Sequence, residues 1–189
     1  MLAAAASSNA ASISLDGLLE QLALDSDEIT LAYRQVQSSK LLREPTITSG
    51  EITIRRNGTI QQRWQGEDGV YRLAIDGDRA HLTNPDGERR FGLTRRPGLA
   101  AMVASLRAIT RGDAAALRER FQVSLGGDAS EWRLELTARG ATTPSTAGQP
   151  GHQEREKPPR LTFKGAEAIE RIHLRGDGRE TEIIMEDTP

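Results

Sequence analysis

The side chains that most often do chemistry are few in this sequence and poorly placed for it. His81, His152 and His173 stand far apart, so a shared metal site is not expected. Cysteine is absent, which removes disulfides, thiol catalysis, cysteine–zinc sites and lipidation on cysteine in this form of the chain. Asp76 and Asp78 flank Gly77 and could pass for an acid pair, but an Asp-Gly-Asp that closes a strand reads as a turn. Arg-Gly-Asp occurs at Arg111–Asp113, where it reads as a helix stop followed by a cap, and at Arg175–Asp177, where it reads as a hairpin tip. There is no nucleophile elbow, P-loop, HExxH or dinucleotide fingerprint. An enzyme, a cofactor and a resident metal are therefore not expected.

One charged residue does stand out. In "SGEITIRRNGTIQQRW" (Ser49–Trp64), Ile52, Ile54 and Arg56 are spaced two apart, so one strand would point all three to the same face. An apolar face has no use for a guanidinium unless that group has a partner.

The elements that must position these residues follow from periodicity. Ser14 can cap a helix in which Leu15, Leu18, Leu19 and Leu22 recur at helical spacing. Ile29, Leu31 and Tyr33 then alternate with polar neighbours, predicting a strand to about Val36. Ile47 has the opposite parity to Ile52 and Ile54, which predicts a bulge near Gly50. Asn57-Gly58 predicts a hairpin with both residues in the turn. Ile60, Gln62 and Trp64 share a face in the next strand, followed by Tyr71, Leu73 and Ile75, then Ala80 and Leu82, then Phe91 and Leu93. Short connections make this an antiparallel meander.

Pro97 suits a helix start, and Leu99, Met102, Val103, Leu106 and Ile109 form one apolar stripe. Gly112 stops that helix, and Asp113 can cap a second, short one carrying Leu117 and Phe121. Strands resume around "QVSL" and "WRLELT", then around Leu161 and Phe163, Ile172 and Leu174, and Ile183 to Met185.

At 189 residues the chain is sized for one domain, 13–189, behind a flexible tail at 1–12. "MLAAAASSNAAS" is expected to be the remnant of a processed export signal behind a start methionine, or a plain disordered tail. Residues 140–159 hold no aliphatic side chain larger than alanine and are expected to be disordered. Apolar residues make up 37% and aromatics 4%, too thin to fill a large closed core. A net charge of −2 with interleaved signs gives no footprint for nucleic acid. The helix stripe then has two readings. It is ordinary core, or it is a lid over a concave sheet whose medium-sized aliphatics leave room for an apolar ligand.

The order of elements resembles the LolA-like lipoprotein carriers. The resemblance is carried by the leading helix, "LAYRQVQSSKLLREPTITSGEITIRRNGTIQQRW", "LAIDGDRAHLT" and the helix after the sixth strand, followed by "GDAAALRERFQVSLGGDASEWRLELT". It covers about residues 14–139 and 160–187 and implies an α+β fold: a strongly curved, unclosed antiparallel half-barrel whose concave face is covered by helices as a lid. The cavity would be lined by Leu31, Tyr33, Ile52, Ile54, Ile60, Trp64, Tyr71, Leu73, Leu99, Met102, Val103 and Leu106. Arg56 matches the family position whose arginine latches the lid through backbone hydrogen bonds, although Asn57 stands where the family pattern has proline. Arg55 takes the role if the register slips by one.

The resemblance also implies a periplasmic, monomeric shuttle that binds acyl chains of a lipoprotein or lipid-like cargo. Its partners would be transient: an inner-membrane transporter and an outer-membrane acceptor. Burying an acyl chain of roughly 16 carbons could gain about 12 kcal/mol before ordering costs, so release would need an opening step. The rival reading is a lipid-sensing regulator or adaptor on the same fold, recognisable by a stably bound protein partner.

Overall fold

A computed structural model describes residues 13–41, 43–139, 158–176 and 178–186. The tail expected at 1–12 and most of the loop expected at 140–159 lie outside the described residues.

Eleven strands form one antiparallel, unclosed sheet in the spatial order β6-β5-β4-β3-β2-β1-β11-β10-β9-β8-β7. The strands run β1 Glu28–Ser39, β2 Thr46–Arg55, β3 Ile60–Gly66, β4 Gly69–Asp76, β5 Arg79–Asn84, β6 Gly87–Gly92, β7 Phe121–Gly127, β8 Trp132–Ala138, β9 Arg160–Gly165, β10 Ile169–Gly176 and β11 Arg179–Glu186. Three helices pack on one side: α1 Leu15–Leu22, α2 Pro97–Thr110 and α3 Ala114–Arg120. Two meanders meet in the middle, where the first strand pairs with the last: Tyr33 opposes Gly50 on one side and Met185 on the other.

The helix ends use the residues the sequence offers. The Ser14 side chain accepts from the Gly17 N–H at 3.1 Å, and the Asp113 carboxylate accepts from the Ala116 N–H at 2.9 Å. Pro97 opens α2, and Gly112 follows it at φ 69°, a left-handed position that suits glycine. Phe121 caps α3 and is the first residue of β7, so it belongs to the sheet and not to the helix as expected.

Two local expectations about β2 are corrected. No bulge forms near Gly50, because β2 pairs with β1 in unbroken register from Arg55 to Thr46. Ile47 consequently stays on the outer face at 56% exposure. Gly50 instead permits close strand packing, since a Cβ there would lie 2.1 Å from the Arg63 carbonyl oxygen. The β2–β3 hairpin also has a three-residue loop, Arg56–Gly58. Ile54 pairs with Ile60, the Gly58 N–H donates to the Arg55 oxygen at 2.8 Å, and the Arg55 N–H donates to Thr59. The loop takes Arg56 out of the strand. The apolar face therefore ends at Ile54.

Candidate functional site

Alternation places the expected cavity residues on the helix side of the sheet. Leu31 opposes Ile52, Ile54 opposes Ile60, Trp64 opposes Tyr71, and Leu73 lies opposite Gln62. From above, α2 contributes Leu99, Met102, Val103 and Leu106. Tyr33, Ile52, Ile54, Ile60, Met102, Val103 and Leu106 are buried in the core, while Leu31, Leu73 and Leu99 are partly buried against it. Trp64 and Tyr71 fall outside that cluster. Both are half-buried, and their rings stack with centroids 5.3 Å apart and an interplanar angle of 18°. Leu82, opposite Leu73, is half-buried too.

Arg56 is exposed, which corrects the expectation of a buried guanidinium. Its Nη2 donates to the carbonyls of Leu24 at 2.8 Å and Asp25 at 2.6 Å, and its Nε donates to Ser26 at 3.3 Å. These oxygens belong to the connection between α1 and β1. That connection is itself joined to the end of α2, because the Leu24 N–H donates to the Thr110 oxygen at 2.9 Å. Arg55 faces the other way, with its Nε on Glu28 Oε2 at 2.8 Å on the outer face.

Two arginines the sequence reading passed over make the direct tie between α2 and the sheet. Arg107 donates from Nε to the Gly58 oxygen at 2.6 Å and from Nη1 to the Gly77 oxygen at 2.7 Å. Arg111, just past the helix, donates to the oxygens of Asn57 at 2.7 Å and Arg56 at 3.4 Å. Gly58 is required here: it sits at φ 91°, and a Cβ would come within 2.7 Å of the Arg111 guanidinium. The available signal was Arg107 itself, the only charged residue within α2. Burial, and then the neighbouring Arg111 charge, hold its pKa below the usual guanidinium range.

Helix α2 is thus fixed differently at its two ends. Near its start, Gly98 lies against Leu174 of β10, where a Cβ would be 3.5 Å from the leucine methyl. Its other end buries Leu106 and Ile109 and adds guanidinium groups on neutral carbonyls of two hairpin turns. Such bonds stabilise by about 1.5–3 kcal/mol each and can exchange to water.

Two depressions are open to solvent. One of about 320 Å³ is on the outer face of β2–β5, among Glu51, Gln61, Arg63, Arg72 and His81. The other, about 440 Å³, lies on the side of α2 away from the sheet, between α2, α3 and the β4–β5 turn. Among the described residues no group of acidic or histidine side chains could hold a metal ion, and no helix is long and apolar enough to cross a membrane.

The family model for outer membrane lipoprotein carrier protein LolA-like sequences matches residues 5–157. No curated protein sequence matches. Among solved structures, a LolA superfamily protein from Nitrosomonas europaea is similar at 12% identity and a TM-score of 0.48, over 93% of this chain and 92% of that one. A DUF1329 family protein from Desulfovibrio piger is similar at 10% identity and a TM-score of 0.48, over 92% and 89%.

Proposed function

This chain belongs to the LolA-like outer membrane lipoprotein carrier family, and from that premise we propose that it is a periplasmic, non-catalytic carrier. Its cargo is an acyl chain of a lipoprotein or lipid-like molecule, taken at the inner membrane and delivered to the outer one through transient partners. The helices act as a lid on a curved half-barrel. Acyl chains enter where the apolar face is uncovered, at Trp64, Tyr71, Leu73 and Leu82, and continue under α2 toward Met102 and Leu106.

The observation that carries this reading is that uncovered patch. It is continuous with the core through Leu73, yet its large side chains are only half-buried. A purely structural sheet would cover them. The latch is the set of hydrogen bonds from Arg56, Arg107 and Arg111 to backbone oxygens, which acts beside the buried apolar contacts of Leu106 and Ile109.

The test is equilibrium binding of a fluorescent 16-carbon fatty acid beside circular dichroism. Leu73→Asp should weaken binding by roughly tenfold or more, since placing a charge on the path costs more than about 1.4 kcal/mol. The dichroism spectrum should stay that of the wild type, because Leu73 is not fully buried. Absence of binding by the wild type, or equal affinity in Leu73→Asp, rejects the proposed entry site.

A further inference from the structure

The depression on the far side of α2 has a shallow floor of Ala100, Ala104 and Ala108, with Ala116 of α3 beside them. Its end gathers three guanidinium groups. Arg107, Arg111 and Arg120 all reach it, and none of the three forms an ion pair among the described residues. Arg107 and Arg111 give their hydrogen bonds to neutral carbonyls only. Nη2 of Arg107 is buried without any partner among the described residues. A buried donor left unpaired costs free energy and is a natural place for an acceptor to enter. Three carboxylates stand near these guanidinium groups: Asp78 and Asp113 line the groove, with Asp113 accepting from the Ala116 N–H, and Asp76 also attracts Arg107. None of them pairs with an arginine there.

We propose that this groove receives an acidic segment of a protein partner, and that its carboxylate takes Arg107 and Arg111 away from the turn carbonyls, freeing the C-terminal end of α2. The chemistry favours that exchange. A carboxylate accepts from a guanidinium roughly twice as strongly as a neutral carbonyl does, and the displaced oxygens of Gly58 and Gly77 can turn to water. A protein segment fits better than an anionic membrane. Arg111 and Arg120 are exposed, but Arg107 is half-buried and its unpartnered Nη2 is fully buried between α2 and the turn, where a narrow carboxylate side chain can reach and a flat phosphate layer cannot. The alanine floor leaves depth for a narrow extended backbone. The groove thus gives the carrier a release trigger of stated chemistry, and in that respect it rests on the carrier reading above.

The full chain is incubated with acetylated hexaglutamate, with hexaglutamine of the same length at matched ionic strength, and separately with phosphatidylglycerol vesicles. Amide hydrogen exchange of α2 is read without lipid, and release of bound fluorescent fatty acid is read in parallel. Hexaglutamate should raise exchange across 100–110 by about tenfold, within the usual range of coupling between two sites. Fatty-acid release should accelerate by a similar factor. Arg120→Ala, which removes charge from the groove but no bond to either turn, should reduce the peptide effect to the hexaglutamine level. Equal effects of the two peptides, no change in exchange, or a response to vesicles alone overturn the proposal. If exchange responds while the wild type binds no fatty acid, the groove stands and the carrier reading falls. If fatty acid binds and exchange ignores the peptide, the groove falls alone.

Discussion

The strands β7–β10 and the strands β3–β5 belong to one sheet and face the same helical layer, yet they are finished differently. Across β7–β10 most of the helix-side face is filled: Phe121, Trp132, Leu134, Leu136, Leu161, Phe163 and Ile172 are each at most 2% exposed, and Val123, Leu125 and Leu174 are half-buried against them. Direct bonds seal that side. The Trp132 indole N–H donates to Ala166, Gln21 of α1 reaches Ala166 and Glu167, and Arg118 of α3 pairs with Asp16 of α1. Across β3–β5 only the row nearest the turns is covered, by Ile60, Ile75 and Ala80 at 2–3% exposure, while Leu73, Trp64 and Tyr71 remain half-buried. One half carries stability. The other leaves Leu73, Trp64 and Tyr71 half-buried, and the helix end near its turns adds guanidinium hydrogen bonds to its buried Leu106 and Ile109.

That division is tested first where the effect should be largest. Phe163→Ala opens a cavity in the sealed half and should cost about 3–5 kcal/mol, read as a lower denaturant midpoint with an unchanged slope. The same variant should bind a fluorescent fatty acid with wild-type affinity at temperatures where it remains folded. A loss of affinity matching the loss of stability would mean that the two halves are one unit.

The next substitution reverses the pattern. Trp64→Ala removes a half-exposed ring whose stack on Tyr71 contributes about 0.5–1.5 kcal/mol beyond its buried area, so stability should fall by about 1 kcal/mol. Fatty-acid affinity should fall by roughly tenfold, equivalent to about 1.4 kcal/mol. A stability loss as great as that of Phe163→Ala would make the aromatic pair ordinary core.

How much of this was legible depended on whether a residue's role was set locally. Alternation in β1–β5 and the α2 stripe put the right residues on the helix side, because period and parity are properties of the chain alone. The caps at Ser14 and Asp113 were legible for the same reason. Asn57-Gly58 announced a hairpin but not its loop length, since the pair suits both two- and three-residue loops. Contacts far along the chain accompany the longer loop: the Arg56 N–H donates to Asp27, and Arg107 and Arg111 hold its carbonyls. Placing Arg56 in the strand was the result of that ambiguity. Arg107 went unnoticed because the helix was read for its apolar stripe and not for its single charge. That Trp64 is half-open while Trp132 is sealed follows from where the helices cross the sheet, which the pattern within either strand does not encode.

The smallest effect lies at the seam between the halves. Tyr33, 2% exposed, pairs across to Gly50 and Met185, and its phenol pKa is pushed up to about 12 by burial. In the unfolded chain the same phenol titrates near 10. The native state therefore holds its proton more tightly. The stability this contributes is fully present below about pH 10 and is lost as pH rises through the folded value. At pH 11 the loss should be about 1.4 kcal/mol, one pH unit above the unfolded value. The Tyr33 hydroxyl has no hydrogen-bond partner among the described residues, so Tyr33→Phe should change stability at pH 7 by less than about 0.5 kcal/mol. Denaturant midpoints of the two proteins should then coincide at pH 7 and diverge by pH 11, with the phenylalanine variant the more stable. If they remain together, water reaches the phenol in the native state. The seam would then belong to the open half, and the boundary of the sealed region would move from β1 toward β11.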